Sequence, residues 1–132
     1  MDLGLRDRVY LVTGGSRGLG FSAAEALIAE GARVMLSSPH EATAAAAANR
    51  LSRRAPTAGA ATSIAADNSD PATPGRLITA AMNRFGRLDG ALISGGGTSP
   101  GSISTTTDEA WRAAFERVFL GAVRPDGCSL RS

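Results

Sequence analysis

Glycines at 14, 18 and 20 within Thr13-Gly14-Gly15-Ser16-Arg17-Gly18-Leu19-Gly20 mark a turn where a bulky anion can rest against bare main chain. The apolar run Val9-Tyr10-Leu11-Val12 ahead of it reads as a buried strand, and apolar residues at helical spacing follow as far as Gly31. Such a strand-to-helix turn presents the unpaired N–H groups and positive dipole end of a helix, which suit a pyrophosphate. The stretch therefore predicts a dinucleotide site. Its spacing, G-x-x-x-G-x-G, shares the mechanism of the G-x-G-x-x-G fingerprint rather than its letters, and the flanking strand and helix supply the context that fingerprint needs. A P-loop is excluded, because no Gly-Lys-Ser/Thr is present.

Other chemistry-bearing residues are few. The 14 Lys-plus-Arg positions are all arginine, with one histidine, His40, one tyrosine, Tyr10, and one cysteine, Cys128. A single cysteine allows no intramolecular disulfide or metal cluster and fits a reducing, cytoplasmic setting. The net charge is only +2 and the arginines are scattered, so no basic stripe points to nucleic acid or a membrane surface. Small-molecule partners are expected. No signal peptide opens the chain and no apolar run reaches the length of a membrane span, which predicts a soluble protein.

The elements that must position the turn follow from periodicity, and 132 residues suffice for one domain with a real core. After the glycines, Phe21, Ala24, Leu27 and Ile28 share one helix face, and residues 32–38 give a second strand that Pro39 ends. The alanine-rich run 41–54 predicts a helix lying on the sheet. Residues 60–65 give a weak third strand, and the turn at 67–71 leads to a helix with Leu77, Ile78, Ala81, Met82 and Phe85 on its apolar side, stopped by Gly86. A fourth strand at 88–93 and a second glycine-rich loop at 94–101 come next. Thr107 then caps a last helix whose stripe is Trp111, Ala114, Phe115, Val118 and Phe119. Alternating strands and helices with short connections predict an α/β fold, a Rossmann-like parallel sheet with helices on both faces, ending after about four strands.

Four stretches carry a resemblance to the short-chain dehydrogenase/reductase family, in particular its 3-oxoacyl reductase-like branch. They are residues 13–20, Ala66-Asp67-Asn68-Ser69-Asp70, Phe85-Gly86-Arg87-Leu88-Asp89, and Asp108-Glu109-Ala110-Trp111 with Phe115 and Gly121. The resemblance extends to Arg124. It implies that 1–124 is a dinucleotide-binding domain, incomplete relative to the family, and that 125–132 is a tail outside it. It further implies that Gly14, Gly18 and Gly20 cradle the pyrophosphate, that Ser16 and Arg17 lie against the adenosine ribose, and that Asp67 and Asn68 border the adenine. Leu19, Ser37, Ser38 and Gly96 complete the implied cofactor-binding set. Asp67 also reads as a turn-forming side chain, and Ser37 and Ser38 as a polar strand end; the residues leave both readings open.

Cofactor choice is argued from the end of the second strand, where an NAD enzyme places an acid on the ribose 2′-hydroxyl. Ser38 stands there instead, and Arg17 is available to pair with a 2′-phosphate, so NADP is expected over NAD. The resemblance implies hydride transfer between NADPH and a carbonyl or alcohol in complete relatives. Departures from the family pattern bear on that activity. Ile93-Ser94-Gly95-Gly96 replaces Asn-Asn-Ala-Gly, and Val118 stands where the family has a catalytic asparagine. Without lysine there is no Tyr-x-x-x-Lys pair, and Tyr10 lies within the first strand. The expectation is a truncated cofactor-binding portion that is inactive alone and associates with a second copy through 108–123. The alternatives are a non-catalytic dinucleotide-binding protein and a remnant that acts only through subunit association.

Overall fold

Strands β1 (Val9–Val12), β2 (Arg33–Ser38), β3 (Ala61–Ala65) and β4 (Gly90–Leu92) form one parallel sheet in the order β3-β2-β1-β4, in a computed structural model that describes residues 1–95 and 97–123. Helices α1 (Gly18–Ala29), α2 (Glu41–Ser52) and α3 (Thr73–Phe85) connect them, and α4 (Asp108–Phe115) follows β4. Val12 of β1 is flanked by Leu36 of β2 on one side and Leu92 of β4 on the other. The chain thus steps outward from β1 to β3 and then crosses back to the far side of β1. Right-handed crossovers in opposite directions put α1 and α2 on one face of the sheet and α3 on the other. The expected α/β, Rossmann-like architecture is what the chain adopts.

Burial follows that layering. Val12, Val34 and Leu36 pack with Phe21, Ala24 and Ile28 of α1 and with Ala44, Ala47, Ala48 and Leu51 of α2. The alanine run is therefore ordered, because its small side chains let the helix lie close to the sheet. Leu11 and Met35 point to the opposite face and pack with Leu77 and Ala81 of α3. β1 and β2, covered on both sides, read as continuous apolar runs for that reason.

Several boundaries differ from the expectations. Helix α2 ends at Ser52, short of Arg54, with a turn in which the Arg54 N–H donates to the Leu51 carbonyl. Met82 is not part of the buried stripe of α3, being 45% exposed. That stripe runs Thr73, Pro74, Leu77 and Ala81, and Met82 lies a full residue step around the helix from it. Gly86 stops α3 as expected, at φ 77°. β4 is three residues rather than 88–93: its ladder with β1 ends where the Thr13 N–H donates to the Leu92 carbonyl. Helix α4 is capped by the Thr107 hydroxyl, which accepts from the Ala110 N–H at 3.2 Å. It then loosens into a π-helical stretch, Glu116–Leu120, that the apolar spacing did not predict. Trp111, Phe115, Val118 and Phe119 are about half exposed, as expected for a stripe without a partner, and the Phe115 and Phe119 rings stack at 4.9 Å.

Candidate functional site

Each glycine of the loop after β1 answers a different constraint. Gly14 has φ +59°, and a Cβ there would lie 2.4 Å from the Ser94 carbonyl oxygen. A Cβ at Gly20 would lie 2.6 Å from the Gly14 carbonyl oxygen, so the first turn of α1 rests directly on the loop. Gly18 also has φ +59°, but nothing lies within 4 Å of where its Cβ would be. The space in front of the helix start is open. Gly15, which the spacing argument passed over, is needed as well, since its Cβ would meet the Leu36 Cβ at 2.8 Å. Two consecutive glycines at a strand end were the available signal.

The helix start itself is bare. Arg17 is the extended residue before α1 and provides no side-chain cap, and the first turn holds no acid. Helix α4, in contrast, has Thr107 as its cap and Asp108 and Glu109 in its first turn. The leading N–H groups of α1 thus keep their positive field for an external anion. Arg17, Gly18 and Leu19 are exposed, Ser16 is half-buried, and the Arg17 guanidinium has no partner among the described residues.

The loops after β1 and β4 are stitched together. The Thr13 hydroxyl donates to the Ser94 carbonyl at 3.1 Å and accepts from the Ser94 N–H at 3.0 Å. Sequence reasoning missed this pair, because 81 residues separate its members. The Gly15 N–H donates to the Ser37 carbonyl at 3.0 Å, which ties the loop to the end of β2 as well. Ser37 and Ser38 are both buried, and the Ser37 hydroxyl has no partner among the described residues. Strand order reverses between β1 and β4, and the carboxyl edge of a parallel sheet at such a point is where ligands bind in open α/β folds.

Asp67 and Asn68 follow β3 at the same edge of the sheet. The Asp67 carboxylate accepts from the Ser69 N–H at 2.9 Å and the Ser69 hydroxyl at 2.7 Å, which is the turn-forming role. Those two bonds, helped by the nearby Arg117 charge, hold its carboxyl below the usual range, so it is an anion at neutral pH. Thr73 braces the turn by donating to the Asp67 carbonyl at 2.5 Å. Asn68 is half-buried. Gly96 and the tail from residue 124 lie outside the described residues.

Tyr10 is half-buried and its ring lies against the neighbouring strand: a Cβ at Gly90 would lie 2.9 Å from it. No group of three or more His, Cys, Asp or Glu side chains suited to a metal occurs among the described residues, and none of their helices is long and apolar enough to cross a membrane. A cavity of about 440 Å³ lies between the 98–106 segment and α4, with Ile103, Thr106, Trp111 and Arg117 in its wall. None of the glycine-loop residues lines it.

The family model for short chain dehydrogenases matches residues 8–126. An uncharacterized oxidoreductase of Mycobacterium tuberculosis is 34% identical over 84% of this chain and 41% of its own length. A levodione reductase of Leifsonia aquatica is 40% identical over 68% of this chain and 33% of its own. Among solved structures, L-sorbose reductase from Gluconobacter frateurii, complexed with NADPH and L-sorbose, superposes with a TM-score of 0.86 at 27% identity, over 96% of this chain and 48% of that one. The chain spans less than half the length of each of these proteins.

Proposed function

This chain belongs to the short-chain dehydrogenase family, and on that premise we propose that it is the dinucleotide-binding portion of an oxidoreductase and takes NADP in preference to NAD. The observation that carries the reading is the uncapped start of α1 behind the open space at Gly18. A pyrophosphate fits there: the leading N–H groups of the helix donate to it, Gly14 and Gly20 keep the loop close beneath, and among the described residues nothing lies within 4 Å of where a Gly18 Cβ would be. Ser16 and Arg17 flank the adenosine ribose. Ser38 leaves the 2′ position free of a carboxylate, and the Arg17 guanidinium, without a partner among the described residues, supplies charge for a 2′-phosphate. The free face of the Asp67-Asn68 turn borders the adenine. The NADPH-bound relative supports the cofactor class.

The nicotinamide ring supplies hydride when bound. A carbonyl that receives hydride also needs a positioned proton donor, and general acid catalysis of that kind is worth about 10²–10⁴-fold. This sequence has no lysine to tune a tyrosine, and Tyr10 stands half-buried on β1 with its ring against Gly90 of β4. The 132 residues alone therefore bind cofactor without turning over a carbonyl substrate. The exposed stripe of α4 favours a second element of the reading, association with another copy through 108–123.

The test is titration of NADPH fluorescence with the purified chain, competition by NADP and NAD, and an assay of NADPH oxidation with ketones and 3-oxoacyl thioesters. Saturable binding, stronger competition by NADP and no oxidation are expected. Turnover that survives Tyr10→Phe would overturn the inactive reading, and absence of binding would overturn the cofactor reading.

A further inference from the structure

Gly121 is buried in ordinary helical conformation, φ −61° and ψ −29°, just after the π-helical stretch. Any residue adopts that conformation, and alanine there would favour the helix more than glycine does. What excludes a side chain is proximity. A Cβ at 121 would lie 2.9 Å from the Asn68 carbonyl oxygen, 3.2 Å from the Asn68 Cβ and 3.3 Å from its carbonyl carbon. Two of those atoms are main chain and cannot swing aside. One helical turn earlier, the Arg117 charge acts on Asp67. The turn after β3 is thus held between Thr73 at the start of α3 and the segment 117–121.

We propose that Gly121 is a positioning residue for the adenine side of the cofactor site: its missing side chain lets the end of the last helical segment seat the Asp67-Asn68 turn at the depth that adenine needs. The inference rests on the reading of that turn as the adenine border. An adenine edge offers an amino donor beside a ring-nitrogen acceptor, and a carboxylate with a neighbouring backbone N–H complements both. Gly121→Ala would displace the turn by a few tenths of an ångström and break that match without touching the glycine loop.

The experiment compares NADPH with its deamino analogue, in which hypoxanthine replaces adenine, on the full chain. The unaltered chain is expected to prefer NADPH. Gly121→Ala should weaken NADPH by about five- to tenfold, the scale of one hydrogen bond, and should narrow the preference. Gly75→Ala is the control, a helical glycine with nothing within 4 Å, and should leave both affinities unchanged. Thermal melts run beside the titrations, and Gly121→Ala is expected to stay folded, because a shift of a few tenths of an ångström in one turn leaves the packing on both faces of the sheet intact. Equal loss of both dinucleotides, unaltered NADPH affinity, or a Gly121→Ala chain that no longer folds would overturn the inference. Failure of the unaltered chain to bind NADPH would instead overturn the cofactor reading, and this inference with it.

Discussion

Arg17 is the residue on which the cofactor preference turns. It precedes an uncapped helix, it is exposed, and its guanidinium is uncommitted among the described residues. Replacing it with alanine should weaken NADP by about 1–2 kcal/mol, the scale of one charge-assisted hydrogen bond, and NAD by much less. Parallel competition titrations measure the difference, and equal losses would show that Arg17 does not read the 2′-phosphate. Gly15 makes the contrasting case, since its role is packing. Alanine there would push on the Leu36 Cβ at 2.8 Å and the Val12 carbonyl at 3.1 Å, between two central strands. Overpacking of that kind costs about 1–3 kcal/mol, so Gly15→Ala should lower the thermal midpoint by several degrees. An unchanged midpoint would contradict the packing.

At the scale of elements, β1 and β4 are joined at both ends by side chains rather than by backbone alone. Thr13 and Ser94 close the carboxyl end. At the other end Asp89 accepts from the Arg87 guanidinium at 2.8 and 2.5 Å, from the Val9 N–H at 2.8 Å and from Arg8 at 3.1 Å. The Arg87 fork is the largest cause, followed by the Val9 N–H, and the Asp89 carboxyl is held far below the ordinary value of about 3.9. A depressed carboxyl contributes stability that is present above its unfolded value and lost as pH falls through its folded one. Asp89→Asn should therefore melt earlier than the unaltered chain between pH 5 and pH 7, with the gap closing as pH drops below about 4. Thermal melts across that range check it, and a gap independent of pH would show that charge is not the cause. The sequence made α1, α2, β1 and β2 legible because each has a local pattern: helical spacing, alanine content or an unbroken apolar run. The Thr13–Ser94 pair, the role of Asp89 and the early end of β4 were not legible, because each depends on which strands become neighbours. The π-helical break after Phe115 was hidden for a related reason. Its apolar stripe is continuous in sequence, yet no sheet face covers it.

At the scale of the whole molecule, the sheet has β4 at one edge, and the stripe Trp111, Phe115, Val118 and Phe119 stands half exposed on the last helical segment. An edge strand with no outer partner among the described residues and a contiguous apolar face both favour association. The chain should sediment as dimers or larger species at micromolar concentration, and Phe115→Glu should shift it toward monomer. A cleanly monomeric unaltered chain would contradict that expectation. The loops of the candidate cofactor site, by contrast, all emerge at the carboxyl edge of the sheet, where α1 starts uncapped and the turn after β3 is braced. Hydrogen exchange with and without saturating NADPH locates the ligand on that edge or elsewhere. The account predicts slowed exchange at the amides of residues 15–21 and 67–69, with residues 41–52 of α2 unchanged. Protection confined to the cavity between 98–106 and α4, or none at all under saturating NADPH, would contradict it.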